Sequence, residues 1–122
     1  MLQTHGTKEL LKAVIEGIQE KKGHKIVVAD FTEIGDTVCK YFVICQANSA
    51  NQVESIAGSV SDTTREKLGE KAIGVSGLDN AYWIAMDYGD IIVHVLQPEA
   101  REFYDLEHLW ADARLTELED EY

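Results

Sequence analysis

Apolar positions recur at helical spacing in two stretches of the chain. The first predicts an amphipathic helix that Thr7 caps and that ends at Gly23 in a left-handed conformation. The second predicts a helix that starts at the capping-box pair Ser49 and Gln52 and ends at Gly69. The two apolar stripes consist of Leu10, Leu11, Val14, Ile15 and Ile18, and of Val53, Ile56, Ala57, Val60 and Leu68.

Five shorter runs have no helical period and are rich in β-branched and aromatic residues, which is typical of strands. They cover residues 25–31, 38–45, 72–75, 82–88 and 91–96. Turn signals separate neighbouring runs at Ile34-Gly35-Asp36 and at Gly89-Asp90.

Pro98 suits the first turn of a third helix, because that turn has no partner for the N–H that proline lacks. Apolar contacts beyond it would come from Phe103, Tyr104, Leu106, Leu109 and Trp110. The order α-β-β-α-β-β-β-α predicts an α/β (α+β) fold, in which helices pack on a mixed sheet of about five strands. A chain of 122 residues fits a single domain over residues 1–122. We expect a folded core over residues 7–113 and a solvated or frayed acidic tail over residues 114–122.

Acidic residues outnumber basic ones. The chain has 22 Asp and Glu against 11 Lys and Arg, for a formal net charge of -11. The negative electrostatic field of such a chain repels phosphate backbones, so we expect little direct nucleic-acid contact. The same field should speed the encounter with a basic partner. No apolar run approaches the roughly 18 residues of a membrane span, and the first residues lack a leader pattern. We therefore expect a cytoplasmic protein that does not contact membranes.

The cysteines and histidines suggest neither a disulfide nor a metal site. Cys39 and Cys45 flank one predicted strand and would lie roughly 20 Å apart, too far for a bond. The four histidines are scattered, and no Cys-x-x-Cys pair is present. We predict no metal and no cofactor.

Two candidate sites for phosphate chemistry are weak. The strand-to-helix junction at residues 46–49 has free N–H groups, but it lacks the glycines of a phosphate loop, which favours simple capping by Ser49. Asp87 and Asp90 are three residues apart across a turn, whereas carboxylates that share a metal on a strand are two apart. We expect a turn in which Asp90 bonds nearby backbone.

His94 lies in a run that is apolar on both faces, which predicts a central strand. Since no Ser or Cys nucleophile can be assigned beside it, a hydrogen-bonded structural histidine is favoured over a proton carrier. No catalytic set is visible, and we predict that the protein is not an enzyme.

The strand around Trp83 separates two kinds of residue by alternation. One face carries Tyr82, Ile84, Met86 and Tyr88, and the other carries Trp83, Ala85 and Asp87. The first face resembles core. On the second, Trp83 is either an exposed recognition residue or packs beneath a helix, and the sequence supports both equally.

Four blocks of the sequence, in order, resemble the ribosomal silencing factor family, also called Iojap-like. They read YFVIC (41–45), NSxxQVxxIA (48–57), WIAMDYGDIIVHV (83–95) and REFYDLExLW (101–110). The resemblance covers most of the chain from Leu10 to Ala113. It implies a fold similar to nucleotidyltransferases without their catalytic residues.

The resemblance also implies a function. Members bind the large ribosomal subunit through universal large-subunit ribosomal protein fourteen, obstruct joining of the small subunit and lower translation when nutrients are short. By this resemblance Trp83 and Tyr88 match positions at the partner-contacting surface, and Asp87 and Gly89 belong to the same signature.

Two other functions stay open at this point. One is a nucleotide-binding or nucleotidyltransferase-like enzyme that uses Ser49 and Asp87 with a magnesium ion. The other is a self-associating scaffold, and a homodimer of the free protein is also compatible with the resemblance.

Overall fold

A computed structural model describes residues 6–34, 39–106 and 113–120 of the chain. The described residues form three helices and six strands. The helices are α1 (Thr7–Glu20), α2 (Ala50–Leu68) and α3 (Pro98–Tyr104). The strands are β1 (His24–Asp30), β2 (Tyr41–Gln46), β3 (Gly74–Ser76), β4 (Trp83–Asp87), β5 (Ile91–Leu96) and β6 (Arg114–Glu117).

The strands form one mixed sheet in the order β3-β4-β5-β2-β1-β6. Only β2 and β5 pair in parallel, and the other neighbours are antiparallel. The mixed α+β fold is therefore confirmed, with six strands where the sequence predicted about five.

The sixth strand comes from residues that the sequence analysis assigned to the acidic tail. All four residues of β6 are exposed, yet they pair with β1 from Val27↔Glu117 to Asp30↔Arg114. Leu118 N–H then donates to Ile26 O at 2.8 Å, and Asp120 Oδ1 accepts from Lys25 N–H at 3.1 Å. The frayed interpretation is wrong for residues 114–120, because backbone pairing with β1 and the side-chain contacts of Arg114 and Asp120 hold this segment at the sheet edge.

The sheet is covered on both faces. Helices α1 and α2 pack on one face, over a core that includes Ile18, Val43, Ile56, Ile84 and Val93. The other face carries a smaller core around Phe31, Phe42, Ile44, Leu96, Ala100 and Leu106. Since β2 and β5 are central, their side chains are buried on both faces, which explains why their sequences are continuously apolar.

The ends of α2 agree with the sequence prediction. Ser49 Oγ accepts a hydrogen bond from Gln52 N–H at 3.2 Å, and Gly69 closes the helix with a left-handed φ of 66°. No helix among residues 6–34, 39–106 and 113–120 is long and apolar enough to cross a bilayer.

The ends of α1 differ from the prediction. The N-cap is Gly6, and the hydroxyl of Thr7 instead donates to Asp90 Oδ2 at 2.7 Å. At the other end the left-handed residue is Lys22, with a φ of 59°, and Gly23 follows it. The predicted turn at Gly35-Asp36, the strand start at Val38 and the contacts of Leu109 and Trp110 lie outside the described residues.

Helices α1 and α2 approach each other closely at Gly17. A Cβ at this position would lie 2.7 Å from the Cα of Val60, and the hydroxyl of Ser59 donates to the Gly17 carbonyl at 2.7 Å. Since the obstructing atom is backbone, a side chain at Gly17 forces the two helices apart.

We predict opposite effects of Gly17→Ala and Gly58→Ala on stability. Both glycines are helical, but nothing lies within 4 Å of a Cβ at Gly58. Gly58→Ala should raise the free energy of unfolding by up to about 1 kcal/mol through helix propensity. Gly17→Ala should lower it by about 2 kcal/mol, since overpacking outweighs that gain. Urea denaturation measures both, and equal stability of the two variants would contradict the close contact.

Candidate functional site

Strand β4 carries residues of two kinds on its two faces, as the alternation predicted. Ile84, Met86 and the following Tyr88 are buried against the helices α1 and α2. Trp83 lies on the opposite face, where it packs against the smaller core. Tyr82, which the sequence placed with the core, precedes the strand and is 37% exposed.

Trp83 is partly buried, and side chains hold its indole from two sides. Its ring packs against Tyr104 of α3, with centroids 4.7 Å apart and planes tilted by 46°. Its Nε1–H donates to Nδ1 of His94 at 3.0 Å. The ring thus packs against α3 on one side, as one alternative predicted, and is otherwise partly accessible, so a role of Trp83 in recognition stays a prediction.

The backbone at Trp83 is fixed by the loop that precedes it. Gly77 has a φ of 88°, and a Cβ there would lie 1.9 Å from the Trp83 carbonyl oxygen, so only glycine fits. On the other side, Gln97 Nε2 donates to Ala81 O at 3.2 Å, and Gln97 N–H donates to Tyr82 O at 3.0 Å. The start of β4 is thus tied to the loop and to the start of α3.

His94 is a buried, hydrogen-bonded structural residue, as predicted. Because Nδ1 accepts the indole proton, the neutral ring carries its own proton on Nε2. That Nε2 is buried and has no hydrogen-bond partner in the described part of the chain. Burial lowers the pKa of His94 from 6.5 to about 4, so the ring is neutral at physiological pH.

Asp87 and Gly89 form the turn between β4 and β5. Asp87 Oδ1 accepts from Gly89 N–H at 2.7 Å, and Gly89 has a φ of 88°. The sequence predicted this backbone contact for Asp90, which is wrong, because the Asp90 carboxylate accepts a hydrogen bond from the Thr7 hydroxyl instead. Asp87 is exposed, so one carboxylate oxygen shapes the turn while the group faces solvent.

Tyr88 points into the core on the opposite side of the sheet from Trp83. It is 7% exposed, and its hydroxyl lies 2.8 Å from Oγ1 of Thr64 on α2. Burial raises the pKa of the phenol. Of the residues that the resemblance assigned to the partner surface, Trp83 and Asp87 therefore share a face, and Tyr88 supports the turn from within.

The structure separates the two residues of the nucleotide-handling alternative. Ser49 follows β2, whose last residue Gln46 pairs with Leu96, the neighbour of Trp83. Asp87 instead pairs with Ile92, four residues away along β5 and so about 13 Å distant. Ser49 and Asp87 lie at opposite ends of the sheet and cannot bind one magnesium ion together. No group of three potential metal-ligating side chains occurs within the described ranges.

Two surface residues of α3 were missed from the sequence. Tyr104 makes the predicted apolar contact, against Trp83, but is 44% exposed, and Phe103 is 79% exposed. The helix ends at Tyr104, and Asp105 follows with a left-handed φ of 46°, so the helical spacing does not continue through them. Adjacent residues on a helix point in different directions, so Phe103 and Tyr104 cannot both lie on its buried side. Their adjacency is the sequence signal that could have indicated exposure.

Comparison with known proteins gives a consistent result across sequence and structure. A family model described as "Ribosomal silencing factor during starvation" matches residues 4–122. The ribosomal silencing factor RsfS of Bacillus subtilis is 37% identical over 112 residues, which is 92% of this chain and 93% of that protein. The chloroplastic protein Iojap of Arabidopsis thaliana is 32% identical over 79 residues, which is 65% of this chain and 32% of that protein.

Solved structures share the fold. A crystal structure of a Chromobacterium violaceum protein superposes with a TM-score of 0.82 at 30% identity and covers 88% of both chains. A crystal structure from Bacillus halodurans gives a TM-score of 0.78 at 31% identity, over 92% of this chain and 100% of that one.

We predict that His94 makes stability depend on pH. Its folded pKa of about 4 lies below the 6.5 of an exposed imidazole, so the unfolded chain binds a proton that the folded protein excludes. The free energy of unfolding should therefore fall as pH drops from 6.5 towards 4, by about 3 kcal/mol in total.

Urea denaturation at several pH values checks this expectation. His94→Asn is the matched control, because its amide oxygen can accept the Trp83 proton and does not titrate. The pH dependence of the variant should be shallower between pH 6.5 and 4, where the histidine titrates. If the free energies of unfolding of parent and variant depend on pH in the same way, burial does not lower the pKa of His94.

Proposed function

The chain belongs to the ribosomal silencing factor family, and on this basis we propose that it binds the large ribosomal subunit and prevents the small subunit from joining. The effect is steric: a domain bound at the subunit interface occupies volume that the small subunit needs. Binding therefore suffices to repress translation, and no substrate is converted.

One feature of the site carries this proposal. Trp83 reaches the surface, yet its indole is held by a hydrogen bond to His94 and by packing on Tyr104. A tryptophan that is already oriented loses little conformational freedom on binding, and tryptophans are common energetic centres of protein interfaces. This arrangement supports Trp83 as the residue that anchors the protein on its partner.

The remaining residues of the signature complete the surface. Asp87 adds an exposed carboxylate on the face of Trp83. Gly89 permits the turn that Asp87 closes, and Tyr88 fastens the turn to α2 from the core side. We propose Trp83 and Asp87 as contacts, with Gly89 and Tyr88 as the residues that hold them in place.

We propose a basic protein of the large subunit, universal large-subunit ribosomal protein fourteen, as the partner. A chain with a net charge of -11 is repelled by ribosomal RNA and attracted to a basic protein surface. Attraction of this kind raises the association rate more than the affinity. Binding should therefore slow as salt increases.

We predict that Trp83→Ala weakens binding to purified large subunits by about thirtyfold, which corresponds to about 2 kcal/mol. Co-sedimentation measures the affinity, and circular dichroism checks that the variant folds. Leu115→Ala is the matched control, because Leu115 is an exposed apolar residue on β6, the far edge of the sheet. If the folded Trp83→Ala protein binds like the parent, Trp83 is not the anchor.

The same proteins test the steric mechanism. Parent protein and Leu115→Ala should reduce the formation of 70S particles from separated subunits, and Trp83→Ala should do so only at higher concentration. Sucrose-gradient profiles report the outcome. Binding without any loss of subunit joining would overturn the steric mechanism while leaving the binding site intact.

A further inference from the structure

Three aromatic rings form a continuous patch at the surface, made of Trp83, Phe103 and Tyr104. The Tyr104 ring lies between the other two, 4.7 Å from Trp83 and 5.0 Å from Phe103 by ring centroids. The rings of Phe103 and Tyr104 meet edge to face, at 86°. Phe103 is 79% exposed and is the most exposed large apolar side chain in the described residues. Its packing on Tyr104 leaves most of the phenyl surface in water.

The helix that carries Phe103 is acidic on its exposed side. Glu99 and Glu102 lie four residues and one residue before Phe103, and both are exposed. Neither forms an ion pair with a described residue. The helix's one basic residue, Arg101, is buried and donates to the Lys25 carbonyl on β1. Glu99, one turn before Phe103, therefore shares a side of α3 with the phenyl ring, and α3 carries no exposed cation.

This combination fits a positively charged side chain. The face of an aromatic ring attracts a cation, and nearby carboxylates strengthen that attraction. Arginine suits the patch best, since its flat guanidinium stacks on a ring while its N–H groups reach a carboxylate. A purely apolar partner would instead leave the Glu99 carboxylate close to a dehydrated surface.

We propose that the aromatic patch receives an arginine side chain of the basic partner protein, with Phe103 and Tyr104 as contact residues beside Trp83. This inference rests on the proposed function, because the arginine belongs to the protein on which Trp83 docks. It extends the partner surface from β4 onto α3. It also gives the exposed phenyl ring of Phe103 a role in affinity.

Variants of Phe103 separate a cation contact from simple apolar contact. Phe103→Leu keeps apolar surface but removes the ring, and Phe103→Tyr keeps the ring. Phe103→Leu should weaken co-sedimentation with large subunits by about tenfold, whereas Phe103→Tyr should bind within about twofold of the parent. Leu115→Ala is again the matched control, since Leu115 is an exposed apolar residue on β6 at the far edge of the sheet and should leave binding unchanged.

The results distinguish the inference from the proposed function. If the parent binds and Phe103→Leu binds equally well, the cation contact is wrong and the docking function stands. Equal losses in Phe103→Leu and Phe103→Tyr would also overturn it, because the ring itself would then not matter.

A second measurement tests the chemistry without the ribosome. The ring-proton NMR signals of Phe103 and Tyr104 should shift as acetyl-arginine amide is added, and shift much less with acetyl-citrulline amide, its uncharged analogue. Phe103→Leu should reduce the shifts at Tyr104. Shifts with arginine in a protein that does not bind large subunits would contradict the docking function alone. Equal shifts with both compounds would overturn the cation contact.

Discussion

The parallel pairing of β2 and β5 at the centre of the sheet positions everything else in this molecule. Both strands are buried on both faces, so a shift of one residue would exchange side chains between two differently packed cores and spoil the packing of each. Strand β5 then sets the register of β4, which places Trp83 opposite Leu96 and Asp87 opposite Ile92. The placement of Trp83 and Asp87 is thus a consequence of the most buried part of the sheet.

His94 destabilises the fold and at the same time positions the Trp83 indole. The His94 ring packs against Phe42 and Trp83, and its Nε2 has no hydrogen-bond partner among the residues that the structure describes. A leucine at this position would avoid that unpaired group but would offer no acceptor to the indole N–H. The buried histidine therefore costs stability, and its hydrogen bond fixes the orientation of the Trp83 indole.

Much of this arrangement follows from the sequence. The alternation along β4 correctly separates Trp83 from Tyr88, and the apolar surroundings of His94 correctly indicate a buried strand. The strand β6 could not be found in the same way, because its stability comes from backbone pairing and its side chains are all exposed. The exposure of Phe103 depends on where α3 ends, and the left-handed backbone of Asp105 sets that end. No local sequence pattern predicts this conformation at Asp105.

The pairing of β6 with β1 bears on how the protein responds to proteolysis. Proteolytic removal of residues after Ala113 would uncover the whole hydrogen-bonding edge of β1, a strand whose interior residues are apolar. An uncovered edge of this kind is a template on which further chains can add as strands. Strand β6 therefore covers an edge that would otherwise be open to pairing with other chains, and we expect a molecule clipped after Ala113 to associate through β1.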